Sequence, residues 1–321
     1  MDFENLQFGP VANVVVFLIF ILFAASYIIY FMTFLPKKPK DEFEPMLLGD
    51  AVKYYDRCKA LIEKLRDREY EEVVVKSYDK VKLYGRLYRG EEGAPVDICF
   101  HGYNGNSRRD FAGGADIMMR AGHTVLLVDQ RGQGRSEGRC PTFGIKERFD
   151  TITWIKYAIN EFGDDVDIFL VGVSMGATTV LMANDLKLPE NLKGIIADCP
   201  FNSPYDIIEY VMTKKKHLPS ALMLIEDLSA QLFAGFDLRN LSCATAVKGS
   251  RIPMLIIHGE GDTYVPEYMS KEIADANPDF IERHTFPDAE HGVSFLYDPE
   301  RYEKICLDFY DRCLGKGEAE A

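Results

Sequence analysis

The chain has 321 residues, of which 47% are hydrophobic and 27% charged, a composition typical of a globular protein. Its formal net charge is −13 and its Lys and Arg residues form only short clusters, so no nucleic-acid partner is expected. The seven cysteines are scattered, without a C-x-x-C pair, which argues against a disulfide framework or a zinc site and favours a reducing compartment.

The first predicted element is an uncharged apolar stretch, residues 11–35, which is long enough to cross a bilayer core of about 30 Å. A cleaved signal peptide would need a basic segment before it, but only Asp2 and Glu4 precede the stretch. Lys37, Lys38 and Lys40 follow it closely. By the positive-inside rule we expect a retained single-pass membrane helix with the following domain in the cytoplasm.

The next segments predict a linker at 36–50, a helix from about 50 to 68, and a hairpin over 72–88. From residue 96 onwards, apolar strands alternate with helices. The strands are expected at 96–100, 125–129, 167–173, 192–198, 254–258 and 280–286, and the closing helix at 299–314. Because these strands are continuously apolar, they predict a mostly parallel sheet with helices on both faces. The predicted segments are thus 1–10, a membrane helix at 11–35, the linker, an α/β domain at 51–314 and a disordered tail at 315–321.

The alternation is interrupted between residues 201 and 250, where about fifty residues separate two predicted strands. Apolar residues recur there at spacings of three and four, for example at Leu224, Leu228 and Leu232, which predicts a helix with a broad apolar face. An insertion at the carboxyl side of a parallel sheet lies over the ligand crevice, so we interpret it as a lid. The apolar face either packs on the core or roofs an acyl pocket.

The most informative motif is Gly172-Val173-Ser174-Met175-Gly176, which follows an apolar strand and precedes a run of small residues. A strand, a tight glycine-flanked turn and an immediate helix are typical of a nucleophile elbow, which exposes a serine hydroxyl above the sheet edge. The alternative is a structural serine in a buried turn.

A serine hydroxyl needs an adjacent base. His291 lies in a glycine-flanked loop between the last strand and the last helix, whereas His101 and His258 end strands and are expected to stabilise loops. The histidine in turn needs a carboxylate, for which Asp262 is the first choice and Asp198, at the end of the strand after the elbow helix, is the rival.

A tetrahedral intermediate also needs two preplaced donors. The backbone N–H groups of Met175, after the nucleophile, and of Tyr103, in the loop after the first central strand, are the candidates. The sequence contains neither metal-ligand spacing nor a dinucleotide-binding glycine motif, so no cofactor is expected.

Residues 70–314 resemble the α/β-hydrolases, in particular their bacterial serine-aminopeptidase-like and lysophospholipase-like branch. The motifs that carry the resemblance occur in the family's order: His101-Gly102-Tyr103, the loop 129–136, the elbow at Ser174, and then His258-Gly259-Glu260-Gly261-Asp262 and His291-Gly292. The resemblance implies an α/β-hydrolase fold and a Ser174, Asp262 and His291 triad.

We therefore expect a membrane-anchored serine hydrolase that cleaves an apolar carboxylic ester, a thioester or an amide. Two alternatives remain open: a peptidase that holds the substrate's amino group with Glu209, Glu226 or Asp227, and a hydrolase scaffold used only for binding.

Overall fold

A computed structural model describes residues 9–35, 43–45, 47 and 49–316. The N-terminal segment, most of the predicted linker with its three lysines, and the end of the tail lie outside the described residues.

The centre of the molecule is an eight-stranded sheet with the order β1-β2-β4-β3-β5-β6-β7-β8. The strands are β1 (Glu71–Lys76), β2 (Lys82–Tyr88), β3 (Val96–Phe100), β4 (Thr124–Asp129), β5 (Ile168–Val173), β6 (Leu192–Asp198), β7 (Met254–Gly259) and β8 (Ile281–Phe286). The β1–β2 hairpin is antiparallel and β2 pairs antiparallel with β4, whereas all other neighbours are parallel. Strands β3, β4 and β7 are buried along their whole length, which confirms the expected two-faced coverage.

Helices cover both faces of this sheet. They are α1 (Pro10–Thr33), α2 (Tyr55–Arg66), α3 (Ser107–Asp110), α4 (Ala112–Arg120), α5 (Glu147–Phe162), α6 (Met175–Met182), α7 (Pro204–Tyr210), α8 (Met223–Ser229), α9 (Cys243–Val247), α10 (Glu267–Asp275), α11 (Ser294–Tyr297) and α12 (Pro299–Cys313). One apolar core contains Trp154 and the elbow helix, and the other contains Phe169 and Phe309 of α12. The predicted α/β-hydrolase fold is therefore confirmed.

Helix α1 has 24 residues and, among the described residues, is the one helix long and apolar enough to cross a membrane by length and composition. Most of its apolar side chains are exposed, but its C-terminal end is buried in the α/β domain. Tyr30 and Phe34 belong to the core around Trp154, and the Phe34 ring contacts Phe143 and Phe236 edge to face. The C-terminal end of α1 thus packs on the α/β domain.

The predicted insertion lies between β6 and β7 and contains α7, α8 and α9. Helix α8 continues through a wider π-type turn to Ala234. Met223, Glu226 and Ala230 are buried on one side of it, while Leu224 and Leu232 are exposed on another. We use the name lid for residues 201–250 from here on.

Candidate active site

Ser174 occupies the turn between β5 and α6, with φ 53° and ψ −115°. This conformation is unfavourable for a residue with a side chain and persists because the surrounding backbone enforces it. A Cβ on Gly172 would lie 2.3 Å from the carbonyl oxygen of Gly176, and one on Gly176 would lie 1.8 Å from that of Phe100. Glycine is thus required on both sides of the serine, as the motif predicted.

The loop between β8 and α11 brings His291 to this serine. Nε2 of His291 lies 3.0 Å from Oγ of Ser174, and Nδ1 lies 2.6 Å from Oδ2 of Asp262. With Asp262 ionised, Nδ1–H donates to the carboxylate, which leaves Nε2 to accept the serine proton. The structure therefore brings together the three side chains that the sequence predicted as a triad.

Asp262 is held by the loop that follows β7. Its Oδ1 accepts hydrogen bonds from the backbone N–H groups of Tyr264 and Val265, each at 2.8 Å. Burial alone would raise its pKa, but the attraction of His291 and hydrogen bonds from His258 and His291 lower the pKa well below its usual range. The carboxylate is thus ionised and fixed in orientation.

The electrostatics of His291 follow from the same pair. Burial alone would lower the pKa of His291, yet the charge of Asp262 and its hydrogen bond raise it above the ordinary value. An imidazole of raised basicity, hydrogen-bonded to a serine hydroxyl, is suited to general-base chemistry.

The rival acid, Asp198, lies at the end of β6 but binds a different partner. The hydroxyl of Tyr302 donates to its Oδ2 at 3.0 Å. Burial raises the pKa of Asp198 to about 6, so this carboxyl is less strongly ionised than Asp262. The geometry favours Asp262 as the partner of His291.

The two predicted oxyanion donors come from the residue after the serine and from the loop after the neighbouring strand β3. Met175 begins α6, where the first N–H groups of a helix lack intrahelical partners, and Tyr103 follows β3. Neither N–H has a hydrogen-bond partner among the residues that the structure describes. The Tyr103 hydroxyl does not point to the serine: it donates to the carbonyl oxygen of Thr33 in α1 at 2.5 Å.

The other histidines that end strands have structural partners, as expected. The His101 ring accepts the N–H of Gln130 through Nε2, at 3.1 Å, and His258 Nε2 lies 2.9 Å from the carbonyl oxygen of Val265. Among the described residues, Cys199, Asp262 and His291 are close enough to share a metal ion. However, both ring nitrogens of His291 are already hydrogen-bonded, and burial raises the pKa of the Cys199 thiol, which favours the triad over a metal site.

Ser174 lines a cavity of about 780 Å³, and we divide the other lining residues into two arms by the elements that carry them. The arm beside α4 and α12 is mainly apolar. Its walls include Phe111, Met118, Val171, Ile196, Cys306 and Tyr310. The arm under the lid contains charged groups. Its walls include Ile208, Met212, Lys215, Lys216 and Glu226, together with Met32 and Thr33 of α1.

The hypothesis that Leu224, Leu228 and Leu232 roof this cavity is wrong. None of the three lines it, and Leu224 and Leu232 are 73% and 52% exposed. The lid residues that do line it come from α7 and the turn after it, together with Glu226 of α8.

Sequence reasoning missed three groups at the site. Met32 and Thr33 were assigned to a membrane span with no role in the site, but both line the cavity. Asp110 was not singled out, although its Oδ2 accepts a hydrogen bond from the N–H of Gly102 at 2.9 Å and so holds the loop that contains Tyr103. Glu226 was one of three acidic candidates, and it alone of those three lines the cavity. A polar Thr33 at the end of an apolar helix was the available signal, but spacing does not reveal long-range contacts.

Comparisons with known proteins agree with this architecture. A family model described as alpha/beta hydrolase fold matches residues 98–222. The chain is similar to the uncharacterized protein YqkD of Bacillus subtilis, with 26% identity over 234 residues that cover 71% of this chain and 76% of that protein. It is also similar to the thiohydrolase aneE of Aspergillus aculeatus, with 32% identity over 140 residues that cover 42% of each chain.

Among solved structures, the esterase Pf2001 of Pyrococcus furiosus superposes with a TM-score of 0.63 at 23% identity, covering 84% of this chain and 97% of that one. At this level of identity the likeness shows the fold.

Proposed function

We propose that the chain is a membrane-anchored serine hydrolase that cleaves a carboxylic ester or a related acyl bond. Its α/β-hydrolase fold and the family-model match over residues 98–222 support this proposal. The observation that carries the proposal is the hydrogen-bonded series Ser174, His291 and Asp262, with consecutive distances of 3.0 and 2.6 Å. A chain of nucleophile, base and carboxylate at these distances is the arrangement that activates a serine.

In the proposed mechanism, His291 Nε2 takes the Ser174 proton as Oγ attacks the carbonyl carbon of the substrate. The developing oxyanion is stabilised by the N–H groups of Met175 and Tyr103. When the intermediate collapses, the bond from the acyl carbon to the leaving group breaks, and the imidazolium gives its proton to that group. Asp262 stabilises the imidazolium and stays ionised throughout.

The acyl group is then bound to Ser174 as an ester. Water attacks this ester while His291 accepts a proton from the water, and a second tetrahedral intermediate releases the carboxylic acid. The proton returns from His291 to Ser174 Oγ, which restores the free enzyme.

The cavity supports an amphiphilic substrate. We assign the apolar arm beside α4 and α12 to the acyl chain, because an apolar chain is stabilised by about 0.8 kcal/mol per buried methylene. The arm under the lid, with Lys215, Lys216 and Glu226, is assigned to a polar leaving group.

A second candidate is hydrolysis of an aminoacyl ester or amide. Glu226 favours it: the residue is 4% exposed and lines the cavity, and its Oε2 has no hydrogen-bond partner among the described residues. A buried carboxylate with a free oxygen would bind a substrate ammonium group. Glu209 and Asp227 do not line the cavity, and Asp227 pairs with Arg239.

For the anchor, we propose that α1 is retained in the membrane and that the α/β domain lies in the cytoplasm. The length of α1, its exposed apolar side chains and the three lysines that follow it in the sequence support this assignment.

A substrate panel tests the proposal. Full-length protein and its Ser174→Ala variant would be assayed on p-nitrophenyl esters of rising chain length, on acyl thioesters and on aminoacyl amides. We expect Ser174-dependent hydrolysis with esters ahead of amides. A folded wild-type protein that hydrolyses none of these classes would favour a scaffold used only for binding.

A further inference from the structure

Helix α8 presents an apolar face that the α/β domain leaves uncovered. Leu224, Leu228 and Leu232 lie four residues apart; Leu224 is 73% and Leu232 52% exposed, and Leu218 just before the helix is 40% exposed. Leucines this exposed and this close together form a patch that covers neither the core nor the substrate cavity. A contiguous apolar patch of this kind marks a contact with a protein, a ligand or a membrane.

The position of the patch beside α1 indicates which contact it makes. Phe233, in the turn that extends α8, contacts the rings of Phe23, Tyr27 and Tyr30 at 5.2, 5.4 and 5.8 Å between centroids. The helices are also joined by a hydrogen bond of 2.9 Å from the Thr33 hydroxyl to Glu226 Oε1. The lid therefore lies against α1 from Phe23 to its end.

The length of α1 then places the lid relative to the bilayer. The thirteen residues 10–22 that precede the first lid contact reach about 20 Å at 1.5 Å per residue. A bilayer core is about 30 Å thick, so this free part cannot cross it alone. If α1 spans the membrane, the segment packed on the lid must also lie in the bilayer, and the neighbouring leucines enter the same leaflet.

Positively charged side chains lie near the patch, as expected for a surface that contacts a membrane. Lys214, Lys215 and Lys216 are exposed and are separated from Leu218 by one residue. Lysines that flank an apolar surface extend their ammonium groups to the lipid headgroup region, where anionic lipids attract them. The patch thus has an apolar part and a basic border, which is the pattern of an interfacial helix.

The cavity reaches the same border. Lys215 and Lys216 line its lid arm, and so do Met32 and Thr33 at the end of α1. The arm that we assign to the leaving group is thus bounded in part by the C-terminal end of α1, where that helix would leave the membrane. A substrate that stays in the leaflet would reach Ser174 without crossing water.

We propose that the lid leucines Leu218, Leu224 and Leu232 lie in the lipid leaflet next to the C-terminal half of α1, and that Ser174 takes its substrate, an acyl ester of an amphiphilic lipid, from that leaflet. The substrate part of this inference rests on the proposed hydrolase function, whereas the position of the lid does not.

The position of the lid is tested by fluorescence quenching in vesicles of phosphatidylcholine and phosphatidylglycerol. Full-length Leu224→Trp protein is compared with a Val74→Trp control, since Val74 is 49% exposed on β1 at the far edge of the sheet. The native Trp154 is 1% exposed and supplies a constant background. Brominated acyl chains should quench the fluorescence added at position 224 and leave that added at position 74 unchanged. Equal quenching at the two positions, or none at position 224, would overturn the proposal.

The substrate route is tested with a double variant, Leu224→Asp with Leu232→Asp, in the same vesicles. Its kcat/KM on vesicle-borne methylumbelliferyl oleate should fall about tenfold or more, because the variant no longer buries these two leucine side chains in the lipid leaflet. Turnover of p-nitrophenyl acetate in water should stay within about twofold, which also shows that the variant folds. A matched Val74→Asp variant should change neither rate.

Parallel loss on both esters, or no loss on either, would show that the patch does not guide substrate. If the wild-type protein hydrolyses neither ester, the hydrolase proposal and the substrate route both fail, and the quenching experiment still decides where the lid lies.

Discussion

The hydroxyl of Tyr103 donates a hydrogen bond to the backbone carbonyl of Thr33 at 2.5 Å. This contact joins the end of the apolar helix α1 to the loop whose N–H we assign to the oxyanion hole. Burial raises the Tyr103 pKa to about 12, so the phenol stays a donor at every pH of interest. The apolar helix and the catalytic machinery are therefore linked by one side chain.

The first prediction concerns this link. Tyr103→Phe keeps the backbone N–H but removes the hydrogen bond and leaves the Thr33 carbonyl without it, a loss of about 1 kcal/mol. We expect kcat to fall by about three- to tenfold with KM nearly unchanged, because the loop loses a brace and not a substrate contact. Tyr78→Phe, at a side chain that is 54% exposed, is the matched control and should have no effect. Unchanged kcat in Tyr103→Phe would show that the link does not matter for turnover.

The second prediction separates the two candidate acids. Asp262→Asn should lower kcat by about ten-thousandfold, because an amide cannot stabilise the imidazolium and can hold the wrong tautomer. Asp198→Asn should stay within about tenfold, since Asp198 accepts from Tyr302 and has no hydrogen bond to His291 among the described contacts. Steady-state rates of both variants, with folding checked by circular dichroism, show which substitution lowers kcat more. The reverse order would move the role to Asp198.

The third prediction is a pH dependence. His291 must be neutral to accept the serine proton, and Asp262 raises its pKa above the ordinary 6.5. Activity should therefore rise with pH through an inflection above about 6.5. Removing the charge in Asp262→Asn should lower the His291 pKa. NMR titration of the imidazole, assigned by comparison with His291→Gln, measures this directly, and an unchanged titration would disprove the proposed electrostatic coupling.

The fourth prediction concerns stability. Burial raises the pKa of Glu226 to about 7, above the ordinary 4.5 that it regains on unfolding. The folded state thus binds a proton that the unfolded state releases, so folding loses stability as pH rises from about 4.5 to 7. Glu226→Gln should therefore unfold at a higher temperature than the wild type at pH 8, by several degrees, with little difference at pH 4. If the variant and the wild type have the same melting temperature at pH 8 as well as at pH 4, Glu226 is not held in a desolvated site.

The same substitution distinguishes the candidate substrates. If the substrate carries an ammonium group, Glu226→Gln should raise its KM while leaving neutral esters within about twofold. Equal KM changes for both classes would remove the aminoacyl candidate.

The fold could be predicted because the information is local. Continuous apolar strands between helices, and glycines at 172 and 176 where two backbones approach, require only neighbouring residues to be recognised. The serine and histidine candidates followed from the same kind of local pattern. The sequence already favoured Asp262 over Asp198, and the distances agree, because Asp262 lies 2.6 Å from His291 Nδ1 whereas Asp198 accepts a hydrogen bond from Tyr302.

The role of the lid leucines could not be predicted. A spacing of four residues identifies one helix face at Leu224, Leu228 and Leu232, but it does not say whether core, cavity or solvent lies opposite. Thr33 could not be placed either, because its contacts with Tyr103 and Glu226 span 70 and 193 residues. Such contacts depend on how the chain packs and leave no periodic signal.

The central claim is that Ser174 is an activated nucleophile, and labelling with a fluorophosphonate probe tests it most directly. Wild-type protein should take up one probe molecule, found by mass spectrometry on the peptide that contains Ser174, and labelling should end hydrolysis. Ser174→Ala should take up none, while Ser220→Ala, at an exposed serine of the lid, should label as the wild type does. Full labelling or full hydrolysis by a folded Ser174→Ala protein would contradict the account.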